Sequence, residues 1–143
     1  MNNDTQRADE FSRNRAHTAP FLGVLVLFMH QGLFYSWDWK ATSPIQIGIW
    51  MAFAITMLLL LFSGGGWFLS SRARELANDE ISRASRDIAI RRGFLAATIT
   101  ALMVVAVSPF QPIEAQRAAH LIFSIGLAIA FLVFGLEERK TNG

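Results

Sequence analysis

The chain contains no cysteine among its 143 residues. Disulfides, thiolate metal sites, cysteine-ligated clusters and thiol redox relays are therefore excluded. Charge is also scarce. Asp, Glu, Lys and Arg make up 17% of the sequence against 52% hydrophobic residues, and the charges are gathered in blocks. A soluble domain spreads its charge over a surface, whereas blocks of charge between long apolar runs are the pattern of a membrane protein. The formal net charge of +2 leaves no basic stripe of the kind a nucleic-acid binder displays, so no nucleic-acid partner is expected. Enzyme motifs are missing too. "SGGGW" at 63–67 lacks the lysine and the strand context of a phosphate loop. No nucleophile elbow, zinc-protease helix or dinucleotide turn occurs. The chain is expected not to be an enzyme.

What is present is four apolar segments, at about 19–35, 44–62, 94–110 and 118–136. A bilayer core takes about 20 mostly apolar residues as helix. The third segment is the shortest and needs Arg91 and Arg92 to snorkel at its lower end. The expected fold is all-α, a polytopic membrane protein of four transmembrane helices. A polar leader (1–18), a cytoplasmic loop (70–92) and a short tail (137–143) complete it. The mixed-charge leader and the absence of a small-x-small site near "FYSWDW" mark the first segment as a retained helix. Pro20 and Pro44 suit first-turn positions, with Thr18 and Ser43 as nearby caps. "SPFQP" at 108–112 stops the third helix. "SGGG" at 63–66 ends the second helix or loosens it, since Trp67, Phe68 and Leu69 could resume an apolar turn.

Orientation follows from the cations. Of 13 Lys and Arg residues, only Lys40 and Arg117 fall on one side of a four-span topology. Arg7, Arg13, Arg15, Arg139, Lys140 and the arginines between the second and third segments all fall on the other. Positive charge collects in the cytoplasm, so both termini and the middle loop are expected there, in a bacterial inner membrane. Phe34, Tyr35, Trp37 and Trp39 form an outer aromatic belt, and Trp67 marks the inner interface.

The middle loop, "RELANDEISRASRDIAIRRG", is the longest charged stretch. Asp79, Arg83, Asp87 and Arg91 stand four apart and offer three successive opposite-charge pairs, each worth about 0.2–0.5 kcal/mol when exposed. Ala77, Ile81, Ala84, Ile88 and Leu95 form an apolar seam, and Asn78 suits an N-cap. The spacing predicts an amphipathic helix over 79–92 running into the third span, its seam packed on the bundle or on a second copy. Its arginines set topology. Arg72, Arg74, Asp79, Glu80, Arg83, Arg86, Asp87, Arg91 and Arg92 are candidate contacts for a partner protein or for lipid headgroups.

Two hydrophobic helices, the segment "NDEISRASRDIAIRRGF" and two further helices resemble a group of small, uncharacterised four-helix prokaryotic membrane proteins. The matching positions are Asp79, Glu80, Arg83, Arg86, Ala89 and Gly93. The resemblance implies the architecture and brings no activity with it.

Ionisable residues inside a membrane are functional candidates. His30 and His120 qualify, and both fall toward the outer side. His30 lies about 10 Å below Trp37 at 1.5 Å per residue. Their plain role is interhelical hydrogen bonding. The sharper one is a bis-histidine haem b site. Gln31, Gln46, Glu114 and Arg117 complete an outer polar mouth that suits a lipid headgroup, a quinone or a small solute. None of the four apolar segments holds a carboxylate, which counts against a proton-coupled exporter. Thr56, Thr98, Thr100 and Ser124 alone break the apolar interior, which is little for a polar pore. Ala52 and Thr56, Ala97 and Ala101, and Gly126 and Ala130 are small-residue pairs that let helices approach closely. The expected role is a non-catalytic accessory or interaction protein without a cofactor. Its partners would be the lipid bilayer and either another protein or a second copy. The rivals are a haem- or quinone-associated redox subunit and a small transporter or channel component.

Overall fold

The computed structural model describes the backbone of residues 3–35 and 44–141, and the side chains of 3–28 and 44–140. The described residues form five helices: α1 (Asn3–Tyr35), α2 (Pro44–Ser63), α3 (Ser71–Ala77), α4 (Glu80–Val107) and α5 (Ala115–Thr141). Three of them, α2, α4 and α5, are long and apolar enough to cross a membrane. The expectation of four is not met among the described residues. The polar half of α1 lengthens that helix without adding apolar residues, and its described side chains end at Phe28. The outward faces of α2 and α4 expose Ile45, Ile49, Ile55, Leu102, Met103 and Val105. Water would not tolerate such a surface, and hydrocarbon does.

α5 is the central element. α1 and α4 pack along it, α2 rests on it more lightly, and α3 packs on α1. The core comes chiefly from Leu127, Ala128, Ala130, Phe131 and Phe134 of α5, with Ala19 and Val26 of α1 and Met57 and Leu61 of α2. Association between apolar helices in lipid depends on close packing rather than on water exclusion. The α4–α5 contact shows how that is achieved. A Cβ on Gly93 would lie 2.7 Å from the Gly126 carbonyl oxygen, and one on Gly126 would lie 2.8 Å from the Ala97 Cβ. Small residues on both helices are therefore required where they cross.

That crossing overturns one of the two expected placements of the seam, packing on the bundle: only Ala77, on α3, is buried. Ile81, Ala84, Ile88 and Leu95 point outward, and Ser82, Ser85, Ala89, Gly93 and Thr100 are buried. The face with room for α5 is the small-residue face, so the bulkier seam is left on the outside. Helix 79–92 does continue into the third apolar segment, as one helix from Glu80 to Val107. Its N-cap is Asp79, whose side chain accepts from the Ser82 amide at 2.8 Å, and not Asn78.

α1 also differs from expectation. It begins at Asn3, so the leader is helical and Pro20 is interior rather than in the first turn. Thr18 is no cap: its hydroxyl donates to the Asn14 carbonyl at 2.8 Å within the helix. An interior proline leaves the carbonyl four residues earlier without its amide donor. Here that carbonyl, on Ala16, accepts from Arg139 Nε at 3.1 Å. The proline ring sits directly over Gly135, where any Cβ would collide with it. α5 thus fills the gap that Pro20 makes, and α1 stays continuous.

α2 is described from Pro44 and stops at Ser63. Gly64, Gly65 and Gly66 follow with φ of 69°, 72° and 75°, a left-handed run that residues with a Cβ rarely enter. Trp67 resumes no helix, and its indole N–H donates to the Ser63 hydroxyl at 3.0 Å. The "SPFQP" stretch ends α4 at Val107 as expected. Ser43 and the aromatic belt of Phe34, Tyr35, Trp37 and Trp39 lie outside the described side chains.

Candidate functional site

The polar half of α1, the end of α2, α3, the start of α4 and the end of α5 meet at one end of the bundle. Their meeting point is Arg15. It is 7% exposed, and its partner Glu138 is 2% exposed. Arg15 Nε donates to Glu138 Oε2 at 3.1 Å and Nη2 donates to Oε1 at 2.9 Å, a two-pronged ion pair. Nη1 donates to the Gly64 carbonyl and to Asn78 Oδ1, both at 3.1 Å. The two hydrogens of Nη2 are shared among Glu138 Oε1, the Ala77 carbonyl at 2.9 Å and the Ser82 hydroxyl. Ser82 in turn donates to Glu138 Oε1 at 2.6 Å. Every guanidinium nitrogen is thus used. The Phe11 and Phe134 rings flank the cation at 5.5 and 5.4 Å.

The same cluster caps α2. The last carbonyls of a helix lack amide donors. Phe62 O accepts from Arg86 Nη1 at 2.6 Å, Ser63 O from Asn78 Nδ2 at 3.4 Å and Gly64 O from Arg15. Asn78 Oδ1 joins the two guanidiniums by accepting from Arg86 Nη2 at 3.2 Å. Arg86 Nε is buried and has no acceptor. Arg86 lies in the polar first turns of α4, ahead of the apolar stretch from Phe94. Burial, and then the nearby Arg15 charge, hold its pKa below the ordinary arginine value.

The expected contact residues divide over this clasp. Arg72 and Arg74 are exposed on α3, and Glu80, Arg83, Asp87, Arg91 and Arg92 are exposed on α4. Asp79 is exposed as the cap, while Arg86 turns inward. The three expected pairs along Asp79, Arg83, Asp87 and Arg91 do not close into salt bridges. Arg83 instead donates to the Asn78 carbonyl at 3.1 Å. A lone carbonyl one turn away competes well against an exposed ion pair worth so little.

At the other end, Trp50 Nε1 donates to His120 Nδ1 at 2.9 Å and stacks edge-on to Phe123, tying α2 to α5. His120 is buried, so this bond fixes Nδ1 as the acceptor nitrogen. Gln46 in the first turn of α2, Glu114 just before α5 and Arg117 in its first turn share this end. The side chains of His30 and Gln31 lie outside the described residues. Thr56, Thr98, Thr100 and Ser124 each donate to the carbonyl four residues back in their own helix, at 2.6–2.9 Å. No group of three or more metal-ligating side chains gathers among the described residues.

Sequence reasoning gave Arg15 only a topological role and did not single out Glu138. A signal existed. On α5 the buried stripe of Leu127, Phe131 and Phe134 continues at helical spacing to Glu138. On α1 the stripe of Ala8, Ala19 and Val26 passes through Arg15. Opposite charges set in two apolar stripes are candidates for one another.

No family model, curated protein or solved structure matches the chain.

Proposed function

We propose that the chain is a four-span protein of a bacterial inner membrane with both termini and the 70–92 segment in the cytoplasm. In this reading it is a non-catalytic accessory protein that docks a partner protein, or a second copy of itself, through the exposed charges of α3 and early α4. The observation that carries this reading is the buried Arg15 clasp. It holds the Ala77 carbonyl, Asn78 and Ser82, so it fixes the charged segment from beneath instead of leaving it a loose loop. A surface held in place binds without a large ordering cost. Glu138 accepts at least three donor bonds, which leaves it poorly suited to acid–base work.

Two observations weigh against the rivals. Iron ligation through His120 Nε2 needs a proton on Nδ1, and the Trp50 N–H already points at that atom. The hydroxyls available to line a polar pore are bonded to their own helices.

Photo-crosslinking in native membranes tests the docking role. A crosslinker at Arg72 or Glu75 should give a discrete heavier band, and one at lipid-facing Leu102 should not. A band at twice the chain mass identifies a second copy. Equal labelling at all three positions, or none at Arg72 and Glu75, would count against the reading.

A further inference from the structure

α2 rests on α5 and leaves an apolar cleft of about 530 Å³ between itself and α4. Ordinary ligand pockets span about 300–1,000 Å³. Leu58 and Phe62 of α2, Ile90 and Phe94 of α4, and Ile122 and Phe123 of α5 line it. Along α5 it runs from Ala119 to Ala130, about 16 Å at 1.5 Å per residue. Such a trough suits a hydrocarbon chain.

One end of the cleft is polar. Arg86 stands one turn before Ile90 and donates to the carbonyl of Phe62, so its guanidinium lies where the cleft meets the clasp. Acceptors run short there. Arg86 Nε is buried without one. The charges acting on Arg86 are Arg15 and Arg83 against Glu138 and Asp87, which with Arg86 itself leaves one cation in excess. The side chain is half-exposed, and its bond to Phe62 lies at the surface.

The geometry points to a lipid site: the α2–α4 cleft holds one acyl chain of an anionic phospholipid, with its phosphate on Nη1 of Arg86, the nitrogen whose bond lies at the surface. The apolar trough selects for a chain, and the excess positive charge at its end selects for a net negative headgroup. The site rests on the membrane reading above but is independent of the docking role.

Native mass spectrometry of the full chain in mild detergent, titrated with phosphatidylglycerol or phosphatidylcholine, tests the site. A one-to-one adduct is expected, with phosphatidylglycerol favoured about fivefold, the effect of one arginine on an anionic headgroup. Arg86→Gln should abolish the preference, and Arg86→Lys should keep most of it. Ile122→Trp, which fills the cleft and leaves the clasp intact, should reduce retention of both lipids. Inorganic phosphate should not displace the adduct. Equal retention of the two lipids, full retention in Ile122→Trp, or displacement by phosphate alone would overturn the site. Failure of the membrane reading looks different: the chain would stay monodisperse once detergent is removed.

Discussion

At the scale of single residues, Arg15 and Glu138 organise the molecule. Burying two charges is costly, and the pair is tolerated because every guanidinium nitrogen and both carboxylate oxygens have partners. Removing one member strands the other. Arg15→Met or Glu138→Leu should each lower stability by about 3–5 kcal/mol in a reversible detergent unfolding titration. The double variant should lose less than either single variant, since apolar side chains can replace a buried pair. A double variant as damaged as the two singles summed would mean that the two residues act separately. Their pairing was hidden because the chain places them 123 positions apart. Each could be found on an apolar stripe, but local spacing does not tell one stripe which other stripe it meets.

At the scale of elements, the helices were largely legible and their contacts were not. "SGGG" and "SPFQP" act locally, so the ends of α2 and α4 follow from nearby residues. Pro20 misled for the opposite reason. A proline after a polar leader looks like a helix start, and only a donor from α5 makes it tolerable inside one. The choice of which α4 face meets α5 misled in the same way. Heptad-like spacing favours the isoleucine seam, whereas the crossing at Gly93 and Gly126 selects the small side. The Pro20–Arg139 relation can be measured. Arg139→Met strands the Ala16 carbonyl and should cost about 1–3 kcal/mol. In a Pro20→Ala background residue 20 regains its amide and bonds that carbonyl itself, so the same change should cost markedly less. An equal cost in both backgrounds, read from the same unfolding titration, would remove Arg139 from this role.

At the scale of the whole molecule, the proposed topology turns on α1 as the fourth span. Its path alongside α5 favours one. Arg15 pairs with Glu138, Pro20 lies over Gly135, and Gly23 approaches the Ala128 carbonyl, so α1 runs antiparallel to α5 as both leave the clasp. If α5 crosses the bilayer, the continuation of α1 to Tyr35 travels the same depth beside it. Four crossings then place both termini and α3 on one side, in agreement with the distribution of Lys and Arg. Because the chain has no cysteine, single introduced thiols report their side without background. In spheroplasts, an impermeant maleimide should label Gln116→Cys before lysis, and Thr5→Cys and Ser71→Cys only after it. All three positions are exposed, so access is set by the membrane and not by burial. Labelling of Thr5→Cys before lysis, with Ser71→Cys still protected, would put the start of α1 on the side opposite α3 and rule out the fourth crossing. It would also require α1 to leave α5 in the membrane, because Arg15 could not reach Glu138 from there.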